Sequence, residues 1–307
     1  MHPTTKKSTR ILFAPLIAFC NWLGENHPVT LVKLRYFARF KKLPDFNHPK
    51  DMNEKILYMK LFTDTSKWTV LADKYKVRDY VKEKGLEKYL VDLLGVWYDV
   101  KDIDFDKLPS SFIFKANNGC GKGSNLIVQD KQKLDKERTL KTLDAWLHEK
   151  HVGTLAAEPQ YKGMKPCVIA EALLPVPKGH KSLVDYKIWC FNGKAHYIWT
   201  CSDRDNDGTE VMLYDRDWTP CPNYCVFDER YRKGGLMDKP KNLSEMLDVA
   251  ETLTNGFPCV RLDLYNIDGQ IYFGEMTFTS LGGMMNFYTQ EFLSLCGNKI
   301  NIDSKKQ

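Results

Sequence analysis

The chain has 307 residues, enough for one large domain or two to three subdomains with a substantial core. Hydrophobic residues at 43% and charged ones at 27% describe a soluble globular protein. The net charge of +6 suits an anionic ligand or membrane face, but is too small to argue for nucleic acid.

The nine cysteines are odd in number and scattered, so a reduced, cytosolic protein is expected. Cys221 and Cys225 invite a zinc reading, yet no second Cys/His pair with ligand spacing follows them. At the N-terminus Lys6, Lys7 and Arg10 precede the apolar run Ile11–Cys20. No A-x-A-like cleavage site follows it, and the run is too short to span a bilayer. It reads as a packed or membrane-touching helix. Leu31, Leu34, Tyr36/Phe37 and Phe40 fall near helical spacing with Lys33, Arg35 and Arg39 between them. An amphipathic helix follows, either packed on the domain or lying on an anionic membrane.

Asn53–Phe62 and Ala72–Lys84 read as helices, the second ending at Gly85. Leu90–Leu94 and Gly95–Tyr98 look like a strand running into a loop. The strand FIFK, the loop ANNGCGKGSN and the strand LIVQ lie within Ser110–Asp130, and a helix covers about Leu134–Lys150. The strand Cys167–Glu171 leads into the proline-rich break LPVPKG. Asp185–Phe191 and Ala195–Cys201 form a hairpin across Asn192-Gly193, a two-residue turn signal. A helix over Leu243–Leu253, capped by Ser244 or Asn242, precedes a last hairpin, Arg261–Gly283. Without repeats or low-complexity stretches, this is an α+β chain whose strands mostly come in hairpins.

Three groups could carry chemistry. In the loop, Gly119, Gly121 and Gly123 with Ser124 and Asn125 offer unhindered N–H groups to phosphate oxygens. Lys122 is followed by Gly, so the P-loop frame fails, and LIVQ is a strand where a dinucleotide fingerprint needs a helix. A glycine loop inside a β-hairpin instead covers phosphates from above, with Lys115 neutralising their charge. The plain alternative is a flexible turn. Cys120 lies in the same loop, where backbone rather than a nucleophile is needed.

The second group is Asp185 and Lys187, which the Asn192-Gly193 turn places on one face with Trp189, His196 and Thr200. A strand lysine on such a face is costly unless an acid or phosphate pairs with it. Arg204, just beyond, suits a carboxylate or phosphate clamp, or is a surface charge. His148, His151 and His180 show neither triad nor metal spacing.

The third group is Asp263 and Glu275 in the last hairpin. Carboxylates inside apolar strands cost desolvation unless something positive sits on them. A two-residue turn at Asp268-Gly269 would put them on opposite faces. Asn-Ile-Asp-Gly also fits a type I turn followed by a left-handed Gly, with Ile267-Asp268-Gly269 as the loop. Asn266 then pairs with Gln270, and Arg261, Asp263, Phe273 and Glu275 share one face, the arrangement expected here. Two carboxylates beside an arginine look like a Mg²⁺ site serving phosphates; solvated acids on a surface hairpin are the alternative.

In this order, a strand lysine, a glycine hairpin loop, a strand ending in Glu171, a second strand lysine and an acidic pair resemble the ATP-grasp superfamily. More narrowly, the chain is similar to the TupA-like ATP-grasp family found with teichuronopeptide and surface-polysaccharide genes. The resemblance runs from about Pro49 to Ile300. MNEKILYMKL, ADKYKVRDYV and FGEMTFTSLGG carry the narrower likeness; LPSSFIFKANNGCGKGSN, VIAEALL, DYKIWCFNGK and RLDLY are shared more widely.

The resemblance implies an ATP-grasp fold with mixed and antiparallel sheets. Residues 1–50 would form a basic helical extension, 51–107 a pre-grasp region, 108–178 a lid and 179–307 a C-terminal subdomain bearing the metal site. Lys115 and Lys187 would contact ATP phosphates, and the Asn118–Ser124 loop would close over them. Glu171, Ala172 and Leu173 would form the adenine hinge, with Asp185 also on the nucleotide side. Asp263 and Glu275 would hold Mg²⁺. Thr277 stands where many relatives place a metal-binding Asn, which puts a second Mg²⁺ in question. Lys187 would stabilise charge in transfer, with Arg204 and Arg261 beside the substrate carboxylate.

The implied reaction is ATP-dependent carboxylate–amine ligation through an acyl-phosphate. Its substrates would be a small molecule or glycan with a carboxylate, such as a uronic acid, and an amine. A sugar-active transferase and a non-catalytic nucleotide-binding partner of the polysaccharide assembly machinery are the competing readings. No nucleic-acid partner is implied. Peripheral contact with the inner membrane face or with polysaccharide-synthesis proteins is a further expectation.

Overall fold

The computed structural model describes residues 14–119, 123–205 and 208–302. The apolar run therefore enters it only from Ala14, and Cys120, Gly121 and Lys122 lie outside the described residues. Its strands form two sheets, an α+β arrangement.

In the smaller sheet β1 (Leu93–Trp97), β2 (Phe112–Ala116), β3 (Asn125–Val128) and β4 (Val168–Ala172) lie in the order β1-β4-β2-β3, every pair antiparallel. Side chains alternate along a strand, so Phe112 and Phe114 point with Val168 and Ala170 into one core. Leu143 of the helix Lys136–Leu147 covers that face, and Asp135 caps the helix by accepting from the Arg138 N–H. Lys115 and Glu171 fall on the opposite face, turned toward the rest of the molecule.

The larger sheet contains β5 (Asp185–Phe191), β6 (Lys194–Ser202), β7 (Thr209–Asp215), β8 (Tyr231–Lys233), β9 (Cys259–Ile267) and β10 (Gln270–Thr277). Their order is β10-β9-β5-β6-β7-β8, antiparallel except for the β7–β8 pair. Ile188, Cys190, Leu262 and Leu264 form one core with Met246, Ala250 and Leu253 of the helix Leu243–Thr254. Lys187 and Asp263 alternate with them and take the other face.

Glu251 ties that helix to β6 by accepting from the Ala195 N–H (3.2 Å), Lys194 Nζ (2.8 Å) and Arg216 Nη1. Burial alone would raise its carboxyl, but Lys194, Arg216 and the Ala195 N–H outweigh that and hold it at about 2. A folded value below the ordinary 4.5 gives stability that is present above pH 4.5 and is lost as pH falls toward 2. Glu251→Gln is expected to cost about 1–2 kcal/mol at neutral pH and to flatten the acid dependence in that window. Urea melts across the pH series check this.

Several elements differ from the sequence expectation. The helix expected over Ala72–Lys84 spans only Val77–Glu83. Ahead of it the Asp73 side chain accepts from the Tyr75 and Lys76 N–H groups, and this local turn outcompetes the helix. β1 begins at Leu93 rather than Leu90. β7 was not expected, and its residues 211–214 are all buried, so no polar/apolar alternation marks it. The helices Ser66–Leu71 and Gln290–Lys299 were also unforeseen.

The Asn192-Gly193 turn has the expected two-residue form, with both residues at positive φ. A bulge at His196, just after the turn in β6, then shifts the register, pairing Trp189 with Tyr197 and Lys187 with Trp199. His196 and Thr200 therefore do not share the Lys187 face, contrary to the expectation from the turn alone. His196 stacks on Phe191, and Thr200 lies opposite Tyr186 and donates to the Met212 carbonyl.

Candidate active site

The last hairpin corrects both the turn and the strand pairing, yet keeps Asp263 and Glu275 on one face. Ile267 pairs with Gln270 and Asn266 with Ile271, so the turn is the two-residue Asp268-Gly269 form, with φ of 51° and 90°. That turn alone would send Asp263 and Glu275 to opposite faces. Gly274 is an extra residue in β10, and past it Glu275 lies opposite Asp263. One bulge thus reverses the parity a second time, restoring the shared face. Phe273 does not join them; it pairs with Leu264 in the core. Gly274 has no room for a side chain, since a Cβ there would sit 2.8 Å from the Asp263 carbonyl oxygen.

Across three strands the pairing lines up Trp189, Arg261 and Thr277, and in the next row Lys187, Asp263 and Glu275. Arg261 binds Asp263 with two nitrogens, Nε at 2.6 Å and Nη2 at 2.8 Å. Nη2 also reaches Thr277 Oγ1 at 3.0 Å and Glu275 Oε1 at 3.4 Å, so one guanidinium nitrogen sits between the two carboxylates. Lys187 Nζ donates to Asp263 Oδ2 and to Asp185 Oδ1 (3.2 Å), and Arg204 Nη2 binds Asp185 Oδ2 at 2.5 Å. The sequence-selected residues Asp185, Lys187, Arg204, Arg261, Asp263, Glu275 and Thr277 thus form one continuous network.

Burial would lower the Lys187 ammonium, but Asp185 and Asp263 hold it well above its ordinary range. Burial would raise the Asp263 carboxyl, yet Arg261 and Lys187 keep it low. Both groups are therefore charged at neutral pH.

On the smaller sheet Lys115 Nζ meets Glu171 Oε2 at 2.6 Å, and Arg78 Nη1 meets Glu171 Oε1 at 3.1 Å. Ala172 ends β4, its N–H bonded to the Asp92 carbonyl, and Leu173 follows half-buried. The glycine loop is anchored at its root. Asn118 is buried, and the neighbouring Asn117 bonds Asp73 Oδ2, the Lys165 carbonyl and the Cys167 N–H. The Gly119 N–H donates to the Ala116 carbonyl, and the Ala116 N–H to the Ser124 carbonyl. Gly123 has a φ of 99°, which favours glycine. Lys74 joins the two halves, its Nζ 2.6 Å from the Gly119 carbonyl oxygen and 3.8 Å from Glu275 Oε2.

Sequence reasoning missed Lys74 and Arg78. Both lie in ADKYKVRDYV, where helical spacing gave no reason to single them out. It also missed the wall behind Arg261. Ser280 Oγ accepts from Arg261 Nη1 at 2.8 Å, while Lys60 Nζ donates to the Gly282 and Ala156 carbonyls. Burial pushes Lys60 down to about 8.

The donor set fits Mg²⁺, which takes one or two carboxylates and completes its shell with water and phosphate oxygens. The Glu275 side chain is 40% exposed and so open to a ligand, whereas Asp263 is reached past Arg261 and Lys187. Together Lys74, Arg78, Lys115, Lys187, Arg204 and Arg261 face Asp185, Asp263, Glu171 and Glu275, a net positive site suited to a polyphosphate.

The profile of a protein family described as TupA-like ATPgrasp matches residues 54–301. The chain belongs to the TupA-like ATP-grasp family. The fold of this family member is therefore the ATP-grasp fold, as the motifs implied. Its structure is similar to a D-alanine–D-alanine ligase from Bacillus anthracis, at 16% identity and a TM-score of 0.45. That match covers 75% of this chain and 62% of the ligase. The D-alanine–D-alanine ligase from Helicobacter pylori is 13% identical with a TM-score of 0.43, over 82% of this chain and 67% of that one. N5-carboxyaminoimidazole synthetase from Staphylococcus aureus, complexed with ADP, is 12% identical with a TM-score of 0.39. There the match covers 68% of this chain and 44% of the synthetase. No match was found among curated proteins.

Proposed function

We propose that this TupA-like ATP-grasp protein is an ATP- and Mg²⁺-dependent carboxylate–amine ligase. The observation that carries the reading is the convergence of Lys187, Asp263 and Glu275 with the root of a glycine hairpin loop, bridged by Lys74. Its substrates are a carboxylate, in a uronic-acid or amino-acid unit of a bacterial surface polysaccharide, and an amine. The glycan assignment rests on family analogy.

In this proposal residues 108–178 form the lid, 179–307 the subdomain with the metal site, and 51–107 the region that supplies Lys74 and Arg78. Lys115 and Lys187 bind ATP phosphates, with Asp185 beside them. Asn118, Gly119, Gly121, Lys122, Gly123 and Ser124 close over those phosphates, and the backbone of Glu171, Ala172 and Leu173 reads adenine. Asp263, Glu275 and the Thr277 hydroxyl hold Mg²⁺, which when bound offsets charge on the transferring phosphoryl group. As phosphate oxygens arrive, Lys187 and Arg261 exchange part of their hold on Asp263 for them.

Arg204 and Arg261 orient the substrate carboxylate. Its oxygen bonds to the γ-phosphorus, the bond to the bridging oxygen breaks, and ADP leaves. The amine nitrogen then bonds to the acyl carbon, phosphate departs with the electron pair, and the amine sheds a proton. The reading includes a cytoplasmic location at the inner membrane face, close to the polysaccharide assembly machinery.

A screen of uronic acids and amino acids as acceptors, paired with amines, tests the proposal by ADP release. Release that needs both a carboxylate and an amine is the expected result. Product formed from a nucleotide-sugar without ATP would instead indicate a sugar transferase. ATP binding with no turnover under any pairing, and unaffected by Asp263→Ala with Glu275→Ala, would indicate a non-catalytic nucleotide-binding partner.

A further inference from the structure

The chain's charge is unevenly distributed. The first fifty residues hold nine Lys and Arg against two Asp and Glu, a net +7, and the remaining 257 residues sum to −1. Apolar exposure is concentrated in the same place. Among the described residues, seven of fifteen exposed large hydrophobic side chains lie between positions 16 and 43, Leu16, Phe19, Trp22, Leu34, Phe37 and Leu43 among them.

Helix geometry sorts these groups by face. In Pro28–Phe40, Leu31, Val32 and Tyr36 are buried against the body. At 100° per residue Arg35 and Arg39 fall on that same side, where they donate to the Leu155 and Met284 carbonyls. Lys33, Leu34, Phe37 and, just past the helix end, Lys41 fall on the opposite side, exposed. Two apolar side chains are thus flanked by two lysines on the outward face. The preceding helix, Ala14–Asn26, buries only Asn21 and Leu23, and Phe19 and Trp22 stack outward at 6.0 Å. No described helix is long and apolar enough to cross a membrane.

We propose that the outward face of these two helices is a docking surface for an anionic lipid bilayer, on which they lie without crossing it. Lysines beside Leu, Phe and Trp match the layered chemistry of a headgroup region, with Trp and Phe at its boundary. A second copy of the chain would bring like charge against like charge, whereas acidic lipid complements it. Residues 1–10 carry Lys6, Lys7 and Arg10 and no acid, so they add charge of the same sign.

Flotation of the full chain tests this, using vesicles of phosphatidylcholine alone and vesicles that also contain phosphatidylglycerol. Binding is expected to the anionic vesicles and not to the neutral ones, and to weaken as salt is raised. Lys33→Glu with Lys41→Glu should lower binding at least about tenfold, and Trp22→Ser with Phe37→Ser comparably. Lys107→Glu with Lys133→Glu changes two lysines that are each 85% exposed elsewhere, and should leave binding intact. The proposal is overturned by failure to float with anionic vesicles at low salt, or by an equal loss in the control pair. Sedimentation revealing a dimer that Trp22→Ser with Phe37→Ser dissolves would assign the face to a second copy and overturn it too.

Discussion

Replacing Asp263 by asparagine is expected to cut ADP formation about 10²–10³-fold and to destabilise the fold at the same time. The Asp263 side chain is 4% exposed and answers two cations, Lys187 and Arg261, whose side chains are each 13% exposed. Removing one member of a buried ion pair leaves an uncompensated charge, at a cost of about 3–5 kcal/mol. Asp185 and Glu275 remain to share the load, which favours the lower end of that range. On turnover, losing a preorganised charge at the reacting phosphate costs about 10²–10³-fold.

Glu275→Gln separates the two effects. Glu275 is 40% exposed and its contact to Arg261 is long at 3.4 Å, so its loss should cost less than about 1 kcal/mol. Turnover should still fall by a factor on the order of 10² or more. Thermal melts beside ADP-release assays check both variants. A Glu275→Gln protein with unchanged turnover would leave the acidic pair a structural feature only.

The second large effect is expected at Gly274, a position with no chemistry of its own. Gly274→Ala places a Cβ 2.8 Å from the Asp263 carbonyl oxygen and 3.4 Å from the Tyr265 ring. Backbone cannot yield as a flexible side chain does, so about 1–3 kcal/mol of stability should be lost. If β10 relieves the clash by slipping one residue, Glu275 turns to the opposite face and ADP formation goes with it.

Gly269→Ala in the same hairpin is the comparison. Its φ of 90° strains any other residue, but nothing lies within 4 Å of the added Cβ. It should cost about 1–2 kcal/mol and leave turnover in place. Equal turnover in the two variants would contradict the role given to the bulge.

Both hairpins show where sequence reasoning succeeds and where it stops. Asn192-Gly193 and Asp268-Gly269 are local signals, since only a few residue types accept positive φ, and each marks its turn. The bulges beside them depend on what the partner strand places opposite, which no local pattern reports. His196 and Thr200 were misassigned for that reason, while Asp263 and Glu275 reached one face by a route different from the one expected. The same limit hid Lys74 and Arg78, whose partners Gly119 and Glu171 stand 45 and 93 positions along the chain. Lys115, Lys187 and the acidic pair were legible because charge inside an apolar strand demands a partner. The α+β class followed from helices interspersed with strands that come in hairpins, and the family from the order of those groups and the motifs around them.

Oxygen-isotope tracing tests the central claim most directly. A carboxylate acceptor labelled with ¹⁸O, incubated with ATP and the amine, should deliver one ¹⁸O to the released phosphate, because the attacking oxygen leaves with it. Phosphate without the label, formed alongside amide product, would contradict the acyl-phosphate route.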